Sequence, residues 1–147
     1  MDAGKCERLL VVLLRVAGVM LLTAFGAVFL PTGWMAATHR WLGLGDFPAS
    51  SLVEYLTRSI SALYAIKGGL YLLLSTDVRR YVTIIGYVAW SAIAFGLALI
   101  AIDVHAGLPW RWTLGEGPLI LVIGIVFLGL SRRVATASLG TKKPGPP

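Results

Sequence analysis

Cysteine is almost missing: Cys6 stands alone among 147 residues, which excludes an internal disulfide, a C-x-x-C redox pair and a cysteine-built zinc site. Histidine is scarce too, with only His39 and His105, and neither belongs to an H-x-x-x-H or H-E-x-x-H spacing that holds a metal. Charge is short throughout. Asp, Glu, Lys and Arg make up 14% of the chain, against about a quarter in an ordinary soluble domain. There is no glycine-rich phosphate loop, no P-loop and no internal repeat. A net charge of +6 does not mark a nucleic-acid binder, because the basic residues sit in short groups between apolar runs rather than along one polar face. What remains is apolar: 57% of the residues are hydrophobic and the mean hydropathy is +0.81, values that belong to an integral membrane protein.

Four apolar runs stand out, at about 9–30, 52–75, 78–102 and 114–133. A helix over 52–75 extends roughly 36 Å at about 1.5 Å per residue, enough for a bilayer core of about 30 Å. Ser51 and Glu54 form an S-x-x-E capping box at its start, and Glu54 and Arg58 are spaced for an i,i+4 ion pair. Ser61, Ala65 and Gly69 make a stripe of small residues that predicts close packing, with the third run as the expected partner because the Thr76–Arg80 link is so short. Asp77 is the expected cap in that link. Pro118 is placed to open the last helix. Between the first two runs, Trp34 and Trp41 lie at helical spacing, as in a short amphipathic helix resting in the membrane interface. The expected fold is therefore all-α: a four-helix transmembrane bundle over 1–137 with a short interfacial helix between spans one and two, and a disordered tail over 138–147.

Lys5, Arg8, Arg79, Arg80, Arg132, Arg133, Lys142 and Lys143 fall on one side of such a bundle, and Arg40, Arg58 and Arg111 on the other. The positive-inside rule then predicts a multi-pass protein of the plasma (inner) membrane with both termini cytoplasmic.

In the order WMAATHRWLGLGDFP, YLTRSISALYAIKG and GLPWRWTLGEGP, the segments around the spans resemble a group of short bacterial four-span membrane proteins with no assigned function. The arginine in the first span, the glycine-rich half that follows it and the overall length resemble, more distantly, DoxX-like four-helix membrane proteins. The resemblance implies a four-helix membrane bundle and carries over no catalytic residue.

Two sets of residues are candidates for chemistry. Arg15 and Lys67 lie at similar depth in the cytoplasmic half with no acidic residue near them, so they either converge on an anion, such as a lipid phosphate or a carboxylate, or snorkel separately to the headgroups. On the outer face, His39, Asp103, His105 and Glu116 read as solvated loop residues, with a metal site or an acid–base pair as the alternative. The expected function is a non-enzymatic subunit or scaffold of a membrane assembly. Its alternatives are a lipid or small-anion carrier built on Arg15 and Lys67 and, behind that, a membrane enzyme with an outer-face metal. Expected partners are the lipid bilayer, an anionic lipid, and further copies or a larger membrane complex. No nucleic acid, metal or cofactor is expected.

Overall fold

The computed structural model of the protein describes residues 2–48 and 50–140, the last three as backbone alone. It has five helices: α1 (Ala3–Val28), α2 (Thr32–Trp41), α3 (Ser51–Leu74), α4 (Val82–His105) and α5 (Trp110–Gly140). Three of them, α1, α4 and α5 over Trp110–Ala137, are long and apolar enough to cross a membrane. This corrects the expected four spans plus an interfacial helix. α3 is as long as α4, but Glu54, Arg58 and Lys67, with Thr57, Ser59 and Ser61 between them, leave it short of the apolarity of the other three.

Local chemistry sets the helix ends. Ser50, not Ser51, caps α3, its hydroxyl accepting from the Val53 amide at 3.2 Å. Glu54 is therefore free to take the expected ion pair with Arg58, at 2.7 Å. Asp77 accepts from the Arg80 amide at 3.0 Å and holds the turn, so α4 begins at Val82, later than expected. α4 ends where Gly107 takes φ +67, a conformation that an L side chain resists. α5 departs most from expectation. It starts at Trp110 and runs through Pro118 to Gly140, so Pro118 sits inside the helix rather than at its start. The ring removes one backbone N–H from the helix ladder there. Of the expected tail, 138–140 continue α5 and 141–147 lie outside the described residues.

The helices pack as two antiparallel pairs, α1 with α3 and α4 with α5, joined where α1 meets α5. The expected contact of α3 with α4 through Ser61, Ala65 and Gly69 is thus replaced by one with α1. There the glycine that matters is Gly68: a Cβ on it would stand 2.6 Å from the Gly18 carbonyl oxygen and 2.6 Å from the Leu22 amide nitrogen, whereas a Cβ on Gly69 would meet nothing within 4 Å. A second glycine seam joins α4 to α5. Cβ atoms on Gly96 and Gly124 would come within 2.8 Å of Leu121 N and 2.9 Å of Ile93 N. Close backbone approach of this kind is how helices associate in lipid, where burying apolar surface gains little.

The core is concentrated at the end that holds the N-terminus, the 75–81 turn and the C-terminal part of α5. Leu10, Leu14, Leu74, Val78, Ile85, Phe127 and Val134 are buried together there, with Tyr71 edge-on to Phe127 at 5.7 Å. Outside it, Arg79 pairs with Glu7 at 2.7 Å, a hydrogen bond and opposite charge that hold the Arg79 pKa above its ordinary value. At the other end Arg58 does the fastening. It donates to the Val28 carbonyl and, at 3.1 Å, to the Leu30 carbonyl, tying the start of α3 to the last, otherwise unpaired carbonyls of α1. The outward faces stay apolar, with Val12, Val19, Leu63, Ile66, Trp90 and Val122 exposed, as lipid contact requires.

Candidate functional site

Because the shared core lies at one end, the two helix pairs part towards the other, where the four tryptophans outside α4 are found. A cavity of about 600 Å³ opens between them. Leu21 of α1, Tyr64 of α3 and Gly115, Leu119 and Ile120 of α5 line it, together with Trp41, Leu42, Arg111 and Trp112. The volume lies in the range of small-molecule sites, and the make-up is theirs too: apolar and aromatic walls with a few polar groups. Along the same α1–α5 junction, next to Leu21 and Ile120 in sequence, a narrower groove of about 190 Å³ follows, lined only by apolar side chains such as Val16, Met20, Val122 and Val126.

Polar groups gather at Glu116. Tyr64 donates to its carboxylate across a long 3.5 Å contact, and Trp112 lines the same cavity. Asp103, on α4, is close enough for its charge to act on Glu116. Asp103 is only 3% exposed, and its Oδ2 has no hydrogen-bond partner. Neither carboxylate forms an ion pair among the described residues. Arg111 shares the cavity wall, but its guanidinium lies 5.5 Å from the ring centre of Trp110, on the exposed side of the helix. Pro118 and Gly117 follow Glu116 directly. Gly117 packs against α4, where a Cβ would meet Ile100 at 2.6 Å, and this contact fixes Glu116 one residue away.

The outer-face candidates are thus divided. Asp103 and Glu116 come together inside the bundle. His39 is held near the end of α2 against the loop that follows, its Nδ1 3.1 Å from the Gly45 carbonyl oxygen and its ring edge-on to Phe47, while His105 is exposed at the end of α4. No group of three or more His, Cys, Asp or Glu side chains that could hold a metal occurs among the described residues. The two cations of the other candidate site are not in contact. Lys67 lies half-buried over the rings of Tyr71 and Phe95, at 5.8 and 5.6 Å, a favourable arrangement for an ammonium without a carboxylate partner. Arg15 is exposed on α1.

Tyr64 and Trp112 line the cavity although neither is a candidate from the sequence, and Trp41, expected in an interfacial helix, joins them. A hint in the sequence is that PWRWTLGEGP places Trp112 and Glu116 four residues apart, on one side of a helix. No family model, curated protein or solved structure matches the chain, which leaves the resemblance to DoxX-like proteins without a further match.

Proposed function

We propose that the protein is a non-enzymatic membrane protein that binds a small amphiphile. The polar part sits in the cavity at the tryptophan-rich end and the apolar part lies towards the α1–α5 groove. The observation that carries this reading is the cavity itself: its size and its aromatic and apolar walls, with a second, apolar groove lined by neighbouring stretches of α1 and α5. A subunit or scaffold role would use the exposed apolar faces, but those faces suit lipid equally, whereas a cavity of this size with apolar and aromatic lining and a few polar groups has the make-up of a small-molecule site. Arg15 and Lys67 take no part. The end bearing Lys5, Arg8, Arg79, Arg80, Arg132 and Arg133 faces the cytoplasm by the positive-inside rule, so the cavity opens near the outer leaflet.

Gly115 offers a clean test, since it lines the cavity and a Cβ there would meet no atom within 4 Å, so a larger side chain can enter the cavity without displacing backbone. Native mass spectrometry of protein released from its membrane should show an amphiphile retained by the wild type and lost in Gly115→Phe, with the unfolding midpoint unchanged. Equal retention by both, or none by the wild type, would refute the proposal.

A further inference from the structure

The lining of the cavity also bears on which amphiphile it takes. Glu116 lines it, and Asp103, buried and outside the lining, is close enough for its charge to act on Glu116; neither forms an ion pair among the described residues. A carboxylate removed from water and left unpaired is costly, and a second one beside it adds repulsion. Both costs fall when a cation enters. Arg111 also lines the cavity, but its guanidinium lies by the Trp110 ring and forms no ion pair with either carboxylate.

A metal ion is a poor occupant. The cavity is many times the size of an ion, its walls are mainly apolar, and no metal-binding set of side chains is present among the described residues. Two indoles, Trp41 and Trp112, line the same cavity. Indole faces attract organic cations, and aromatic rings gathered around a carboxylate are the arrangement that recognises alkylated ammonium groups. We infer that the cavity selects amphiphiles whose polar head is an organic ammonium cation, with Glu116 and Asp103 supplying the counter-charge, Tyr64 positioning Glu116, and Trp41 and Trp112 facing the head. This rests on the amphiphile-binding reading above.

Three probes with one chain and different heads separate the two ideas: octyltrimethylammonium, octyl glucoside and octyl sulfate, each below its micelle concentration. Equilibrium dialysis against the protein in nanodiscs, with empty nanodiscs as the background, gives the specific binding of each. The expected order is ammonium, then glucoside, then sulfate. Glu116→Gln should weaken ammonium binding at least tenfold and leave glucoside binding within about twofold of wild type. Should that variant fail to fold, Trp41→Ala keeps the inference testable, because Trp41 is 83% exposed and its loss does not disturb packing. It should weaken the ammonium probe about threefold or more, and Trp41→Phe should restore most of the loss. Equal binding of all three heads, a preference for sulfate, or indifference of the ammonium probe to these substitutions would overturn the cationic head while leaving the cavity reading intact. Absence of specific binding by every probe would overturn the cavity reading and, with it, the inference.

Discussion

Substituting alanine for Gly68 should separate the two glycines that sit side by side in α3. The new Cβ would stand 2.6 Å from the Gly18 carbonyl oxygen and 2.6 Å from the Leu22 nitrogen, where ordinary contact begins near 3.4 Å. Both opposing atoms are backbone, so no rotamer change relieves the clash, and α1 must move away by most of an ångström along its seam with α3. Overpacking of this kind costs about 1–3 kcal/mol. Alanine's helix preference over glycine offsets about 0.8–1 kcal/mol of that, which leaves a net loss of up to about 2 kcal/mol, at the upper end here because both opposing atoms are backbone. Gly69→Ala keeps the propensity gain without the clash, and should be neutral or up to about 1 kcal/mol more stable. The pair can be compared by equilibrium unfolding in mixed micelles of a mild detergent and dodecyl sulfate, following loss of helicity. A wild-type midpoint for Gly68→Ala, or a larger loss for Gly69→Ala than for Gly68→Ala, would show that α1 and α3 do not meet at this face.

Other expectations follow from the same contacts. Gly124→Ala, which would bring a Cβ within 2.9 Å of Ile93 N, should destabilise the α4–α5 pair by about 1–3 kcal/mol, while Gly129→Ala, with nothing within 4 Å, should not; the same unfolding titration decides. Arg58→Leu strands the Val28 and Leu30 carbonyls and the Glu54 carboxylate, so it should cost about 1–3 kcal/mol, and Arg58→Lys should recover only part because an ammonium cannot span both carbonyls. Arg79→Ala, by contrast, should unfold like wild type at low and high salt alike, since exposed pairs contribute little. In a Cys6→Ala background, a cysteine at Thr76 should react with an impermeant maleimide only after the membrane is opened, and one at Gly45 in intact cells; the reverse pattern would invert the proposed orientation.

Much of the fold can be read from residue order alone. The positions of the helices follow from apolar runs punctuated by Asp77, Gly107 and the 42–50 loop, and the Glu54–Arg58 pair follows from spacing. The pairing of the helices does not. A short link fixes only that the end of α3 lies near the start of α4; which side of each helix meets which neighbour depends on a rotation that one helix's sequence leaves undetermined. Choosing the Ser61–Ala65–Gly69 row over the neighbouring Ala65–Gly68 row amounts to a fraction of a turn, and it changes the partner from α1 to α4. Counting spans failed for a related reason. α3 has the length of a span, but its charged and hydroxylated first half is sheltered by the Arg58 contacts to α1 rather than made apolar. Glu116 was hidden because Pro118 looks like a helix start. Once α5 begins at Trp110, the same glutamate moves from a loop to the inside of a helix bundle, opposite Tyr64 and beside Asp103, residues far from it in sequence.

The five tryptophans provide the most direct test of the cavity, because two of them line it and the others do not. In protein labelled with nitrogen-15 at tryptophan and held in nanodiscs, the indole N–H resonances can be followed as octyltrimethylammonium is added. Saturable shifts confined to Trp41 and Trp112, with Trp34 and Trp90 unmoved, are the predicted result. Equal, non-saturating shifts at all positions would mean that the probe merely partitions into lipid, and would contradict a binding site at this end of the bundle.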